Sequence, residues 1–309
     1  MRAVVLALLA PIAVSCTKTN DEFILVPVDG VVRLRDGGPL GGIRVGFFAP
    51  GSRIVPLAPP PHSPLAPEGW RAGQGQIFEN PIYATTDMQG HFRVALRQGR
   101  YEVWIGAASD SGIMSQSVPD LTLISSPVTL DLRYAGYRLS GRLIGPGGAA
   151  LTNGSVFVLS RTNTARASVV AGSYSLLLPA DTLAIWANPE TVDSDRGIPR
   201  VKREAVILSS DSTLDLSVDG FVVTGTVTGP GGVPLDGGLV SATAATASAY
   251  SRTAADGTYR VYLPGMEYFF RVDPGPGRDS IGIRQYPNVL IDSDRTLDFD
   301  LSGAPTARR

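Results

Sequence analysis

The sequence predicts an all-β chain: three tandem, antiparallel, seven-stranded sandwiches following an N-terminal export signal. Three observations predict it. First, three segments open alike: VVRLRDGGPLGG from Val31, RLIGPGGAALTNG from Arg142 and TVTGPGGVPLDGG from Thr226, directly after Gly30, Gly141 and Gly225. Second, each leads to a small-residue turn and an alternating strand: GHFRVAL at Gly90, GSYSLLL at Gly172 and GTYRVYL at Gly257. Third, no segment after the N-terminal signal shows helical periodicity. Self-similarity at a fixed period identifies a repeat architecture before any single residue does.

The N-terminus reads MRAVVLALLAPIAVSC, with one positive residue, Arg2, and an apolar run over residues 3–14. That run is too short to span a bilayer and fits a cleaved signal. Its end, Ala13-Val14-Ser15-Cys16, resembles the bacterial lipobox, in which the cysteine is lipidated and becomes the first mature residue; Ala13 stands where leucine is commoner. Cys16 is the only cysteine in the chain. A lone thiol in an exported protein calls for a reason, and lipidation supplies one. The resemblance implies a signal peptide over residues 1–15, a lipidated tether over 16–27, and a membrane as partner through the lipid on Cys16. Thr17, rather than aspartate, follows that cysteine, which favours the outer membrane of a bacterial envelope.

The units align position by position. Ten residues after the leading glycines lie Leu40, Leu151 and Leu235; fifteen after lie Val45, Val156 and Val240. Two residues after the turn glycines come Phe92, Tyr174 and Tyr259, then Leu96, Leu178 and Leu263, then Tyr101, Leu183 and Tyr268. The units close on Leu130-Asp131-Leu132, Leu214-Asp215-Leu216 and Phe299-Asp300-Leu301. Phe92, Val94 and Leu96 share one strand face, as do Tyr259, Val261 and Leu263, because strand side chains alternate. Asp256-Gly257 and the Pro-Gly-Gly runs at Pro146 and Pro230 are turn signals. Turns every eight to twelve residues give roughly seven strands per unit. The expected boundaries are 28–134, 135–218 and 219–303, with a disordered tail over 304–309. The linkers at 134–137 and 218–221 are short, which predicts limited hinge motion.

In order, the pattern is a glycine-led strand, G-x-P-L-x-G, a valine strand, a turn of D-x-x-G-x-F or D-G-x-Y type, and L-P-x-x-x-Y. It resembles the carboxypeptidase regulatory-like domain, a transthyretin-like (Ig-like) sandwich related to starch-binding and pilus-stalk modules. The resemblance covers residues 28–303 in three copies. Unit two departs most: Val170-Ala171-Gly172 replaces the aspartate-containing turn, and Leu183 replaces the tyrosine.

Composition narrows the function classes. The chain has 27 basic and 28 acidic residues, and removing residues 1–15 takes away only Arg2. A near-neutral chain without a basic stripe does not fit nucleic acid. Without cysteine pairs, no disulfide staples the units. The family that the resemblance names accompanies zinc carboxypeptidases, yet the catalytic domain is absent here. Both histidines, His62 and His91, lack an H-x-x-E context, and a catalytic zinc site normally uses three protein ligands. Neither supports a Ser-His-Asp triad, since G-x-S-x-G is missing. Asp193, Asp195, Asp292, Asp294, Asp298 and Asp300 have the D-x-D spacing that suits calcium. The EF-hand glycine and terminal glutamate are missing, and Asp298 and Asp300 alternate with Phe299 and Leu301 as outward strand residues should. A polar turn and a solvated strand face is the preferred reading. No cofactor, metal or catalytic residue is expected.

Unit one carries a proline-rich insertion over residues 49–77, including Pro59-Pro60-Pro61 and Trp70. Such sequence favours extended polyproline II structure. It either covers an edge, the preferred reading, or offers Trp70 to a partner or sugar ring. Tyr250 is the other candidate contact. Trp104 and Trp186 share a register, which points to common packing. Together these readings describe a non-enzymatic, membrane-anchored surface lipoprotein acting as stalk, scaffold or protein-binding module. Its partner is an envelope protein or a polysaccharide. The alternative is a carbohydrate-binding protein using loop aromatics, and a carboxylate-dependent hydrolase is the remote one.

Overall fold

The structure is a computed structural model. It describes residues 25–48, 81–106, 111–124, 127–190, 196–278 and 280–302. These residues fold as three sandwiches with one plan.

Unit one comprises β1 (Leu25–Leu34), β2 (Arg44–Phe48), β3 (Ile82–Thr85), β4 (His91–Arg97), β5 (Gly99–Gly106), β6 (Gln116–Leu123) and β7 (Val128–Tyr134). One sheet runs β4-β1-β7, the other β3-β2-β5-β6. Unit two comprises β8 (Tyr137–Ile144), β9 (Asn153–Leu159), β10 (Thr164–Val170), β11 (Ser173–Leu178), β12 (Asp181–Pro189), β13 (Arg200–Leu208), β14 (Ser212–Thr213) and β15 (Leu216–Ser217). Unit three comprises β16 (Phe221–Thr228), β17 (Leu239–Thr243), β18 (Ala247–Arg252), β19 (Thr258–Leu263), β20 (Met266–Asp273), β21 (Arg284–Ile291), β22 (Arg295–Thr296) and β23 (Phe299–Asp300). In units two and three the seventh strand is split into two short pieces. Pairing is antiparallel throughout each unit, except that the last strand runs parallel to the first.

The repeated apolar positions build the cores. Val45, Val156 and Val240 are fully buried, as are Leu96, Leu178 and Leu263. Each unit has its own cluster, because a sandwich buries one face of each sheet and leaves the other to solvent.

The leading glycines have a packing cause. Gly30, Gly141 and Gly225 stand opposite Phe92, Tyr174 and Tyr259 in the ladder. A Cβ on Gly141 or Gly225 would overlap the carbonyl of Leu214 or Leu297, and on Gly30 it would overlap the Phe92 ring. That close approach lets the Tyr174 hydroxyl donate to Leu214 O at 2.5 Å and the Tyr259 hydroxyl donate to Leu297 O at 2.7 Å. Unit one has Phe92 and no hydroxyl at this place, and there β7 is unbroken.

The departure in unit two is a tight hairpin. Ala171 and Gly172 both have positive φ, 50° and 80°, as the primed two-residue turns require. Val170 therefore pairs Ser173 and ties β10 to β11. In units one and three a longer turn is used instead, closed by Asp87 Oδ1 accepting the His91 N–H at 2.8 Å and by Asp256 Oδ1 accepting the Thr258 N–H at 3.0 Å.

Candidate functional site

Of the residues singled out from sequence, Cys16 and Trp70 lie outside the described residues, as do His62, Asp193 and Asp195. Tyr250 is half-buried on β18, opposite Ser241 of β17. Its register matches that of Tyr83 on β3, so it belongs to the outward face of the four-stranded sheet. Trp104 and Trp186 do share a place on that face. Their neighbours differ: Trp104 lies opposite Gly46, whereas Trp186 packs on Phe157 at 5.5 Å and takes Lys202 Nζ at 5.1 Å from its ring. Phe48 and Tyr83 meet edge to face at 90°, so they form no flat platform.

His91 opens β4 with its side chain largely exposed, 3.9 Å from Asp87. The acidic residues serve the backbone. Asp294 Oδ1 accepts the Val222 N–H and Asp298 Oδ1 the Thr226 N–H, both at 2.8 Å. In unit two, Asp211 and Asp215 take the N–H groups of Arg138 and Arg142 at 2.9 and 2.8 Å. Each carboxylate substitutes for a main-chain acceptor where the seventh strand breaks. The Arg142 N–H and guanidinium hold Asp215 below the usual carboxylate range, and Ser302 does the same to Asp300. Burial, then the charge of Asp215, pushes the Tyr174 phenol up; burial and Asp298 do so for Tyr259.

The junctions between units concentrate the interactions that the sequence reading missed. Between its fifth and sixth strands, unit one sends the loop Ser111-Gly112-Ile113-Met114 into unit two, between β10 and β11. The Gly112 N–H donates to Arg166 O at 2.8 Å, and the Gly112 carbonyl accepts the Leu177 N–H at 2.7 Å. The Met114 N–H donates to Leu177 O at 3.0 Å. Met114 enters the core of unit two, while Leu177 packs back against the core of unit one. Tyr134, fully buried, closes the joint: its hydroxyl donates to Met114 O at 2.6 Å, with Leu177 O at 2.9 Å. Burial pushes this phenol well up.

The second junction repeats the first. Arg196-Gly197-Ile198-Pro199 of unit two enters unit three between β18 and β19. Arg196 bridges Ser251, at the register where Ser111 bridges Ala167. The Gly197 carbonyl accepts the Tyr262 N–H at 2.9 Å, and Tyr262 packs against the core of unit two. Gly112 and Gly197 have φ of +75° and +81°. A Cβ on Gly112 would lie 2.7 Å from Ser175 O, and on Gly197 it would overlap Arg260 O. Both glycines are needed twice over: for a left-handed backbone and for close approach to the next unit.

Here the sheets also join. Arg200 and Val201 of β13 pair Ser248 and Ala247 of β18, so the four-stranded sheets of units two and three run on as one. At the first junction that pairing is replaced by the Asn163 side chain, whose Nδ2 donates to Ser115 O at 3.1 Å. A signal existed in the sequence: Gly112-Ile113 and Gly197-Ile198 stand at one register, four residues before Gln116 and Val201.

The chain matches no protein-family profile and no curated protein. The resemblance to the carboxypeptidase regulatory-like domain therefore goes no further than the residues that carry it. Among solved structures, the chain is similar to the Bacillus anthracis TIE protein, at 10% identity and a TM-score of 0.26, over 90% of this chain and 50% of that one. The chain thus spans about half the length of that protein. It is also similar to a D312A form of BcpA, the major pilin subunit of Bacillus cereus, at 10% identity and a TM-score of 0.21, over 90% and 99%. The shaft pilin SpaA of Lactobacillus rhamnosus GG follows at 10% identity and 0.26, over 62% and 96%. Identity and TM-score are too low for these likenesses to bear on function, and the fold rests on the strand pairing above.

Proposed function

We propose that this chain is a non-enzymatic scaffold of the bacterial cell envelope, anchored by a lipid on Cys16, with its sandwiches in series to hold or space a partner. The observation that carries this reading is the repeated junction. Each loop hydrogen-bonds into the following unit through a left-handed glycine, and the first also places Met114 in that unit's core, so backbone and burial are spent on fixing one unit against the next. Such an arrangement serves position, and three of the candidate carboxylates, Asp294, Asp298 and Asp300, are engaged by backbone N–H groups. The lipobox-like sequence supports the anchor, and Thr17 supports the outer membrane.

The test is Cys16→Ala in the full chain, expressed in a bacterium with two membranes. The unsubstituted chain should incorporate labelled fatty acid and sediment with membranes. The variant should do neither and should appear in the soluble extract. Retention of the variant in the membrane fraction would refute the anchor.

A further inference from the structure

Two of the three clefts between the third and fourth strands of a unit are filled by a loop of the preceding unit. The first unit has the same cleft, between β3 and β4, with no described residue bridging it. Its outer edges match the filled ones. Ala95 stands at the register of Leu177 and Tyr262, and Ala84 at that of Ala167 and Ser251. Ala95 lies opposite Pro27, which has no N–H, at the register where Leu177 turns its N–H and carbonyl outward to Gly112 and Met114. By that register the Ala95 N–H and carbonyl face the cleft. A groove of about 610 Å³ runs from Thr85 and Asp87 past Arg93 to Gly30 and Thr129, and its counterpart at Gly225 in unit three lies beside a filled cleft, so the groove belongs to the fold of the unit. Tyr83, on the rim, is 52% exposed.

We propose that this cleft binds an extended loop of another protein built around a left-handed glycine, with an apolar side chain two residues on, as Met114 follows Gly112. The basis is continuity with an interface that the chain already makes twice. The occupant is narrowed by two further observations. Pro81 stands at the register of Ser248, so a strand added there meets a position without an N–H donor. The cleft therefore fits the loop-only contact of the first junction, rather than the sheet extension of the second. A second copy of this chain is disfavoured by its third unit. There Ser280 replaces the junction glycine at the same distance before Arg284. Among the described residues, the series is blunted at unit three and unfilled at unit one. The inference deepens the scaffold reading by giving the partner a chemistry. It rests on that reading for its biological role, while the binding is measurable without a membrane.

The experiment is a titration of the full chain in detergent with a fluorescent peptide carrying the sequence of residues 109–117. The clefts of units two and three are held by tethered loops at high effective concentration, which leaves the open cleft to the peptide. Saturable binding is expected. Ala95→Pro, which removes one outward N–H on an edge strand, should weaken it about tenfold. A peptide with valine for the glycine should not bind, and this arm leaves the protein unaltered. Absence of saturable binding, or binding indifferent to both changes, would overturn the proposal. So would self-association that Ala95→Pro abolishes, which would make the occupant a second copy. Protection of the Ala95 amide from exchange in the free chain, to the level of Leu177, would also overturn it, because the cleft would then be filled by the chain itself.

Discussion

Gly197→Ala tests whether the junctions are held by close backbone approach. The position combines two costs that a second glycine separates. Gly197 has φ of +81°, and Gly231, in the first turn of unit three, has φ of +77°. A Cβ on Gly231 would meet nothing within 4 Å, whereas on Gly197 it would overlap Arg260 O and lie 2.7 Å from Val261 Cα. Those are backbone atoms in β19 and cannot rotate aside. Both variants bear the left-handed cost, about 1–2 kcal/mol. Only Gly197→Ala must also withdraw the loop. It loses the hydrogen bond from the Tyr262 N–H, a net of about 1 kcal/mol. It also loses part of the burial of Ile198, of which roughly 1.5–3 kcal/mol is available in full. Gly197→Ala should therefore cost about 2–3 kcal/mol more than Gly231→Ala. The assay is urea unfolding of both variants, with amide exchange at Tyr262 as a local readout. Equal midpoints, or a Tyr262 amide as slow as in the parent, would refute the reasoning.

The other predictions concern groups inside the units. Tyr174→Phe and Tyr259→Phe should each cost about 1–3 kcal/mol in urea unfolding, because the Leu214 and Leu297 carbonyls lose their donor. Thr253→Val should cost a similar amount, about 1–3 kcal/mol. The buried hydroxyl donates to Leu235 O and accepts the Gly238 N–H at 2.8 Å, while Val169 at the same register shows that the shape is tolerated. Tyr134, Tyr174, Tyr259 and Tyr268 all have raised phenol pKa values through burial. Their contribution is complete below the unfolded value near 10 and is lost as pH rises above it, by about 1.4 kcal/mol per pH unit for each. Tyrosinate absorbance should show these four ionising only together with unfolding. Asp215 has the opposite sign: its depressed value contributes above about pH 4 and is lost as pH falls further. Asp215→Asn should flatten the acid limb of the stability profile, and an unchanged limb would count against the stitch to Arg142.

The cores were legible because burial repeats at fixed spacing: glycine, leucine at ten residues and valine at fifteen are geometric necessities of one sandwich, three times over. The turns were legible from glycine and aspartate. The parallel seventh strand was not, since periodicity reports which face is buried and is silent on direction. The acidic runs read as a polar turn and a solvated strand face; the bonds of Asp294 and Asp298 to the first strand depend on breaks in the seventh strand that no local pattern reveals. The junction loops were missed for a similar reason. SGIM and RGIP share only Gly-Ile, too short a motif to stand out, and the need for glycine comes from a neighbouring unit's carbonyl rather than from the loop itself.

The direction of donation has a consequence for where a partner would sit. Units one and two each give a loop to the next along the chain, so the cleft that no described residue fills belongs to the first unit. On the proposed anchoring, Leu25 lies nine residue steps beyond Cys16, a reach of at most about 32 Å when fully extended. Leu25 begins β1 opposite Arg97, two residues from Ala95. The cleft is thereby confined to the membrane-proximal end, and a partner that fills it must itself be close to the membrane surface. Lengthening the tether with a flexible Gly/Ser insert after Lys18 should then weaken capture of such a partner in cells, while leaving peptide binding by the purified chain unchanged. Equal capture with the long tether would separate the cleft from the anchor and leave the two proposals to stand singly.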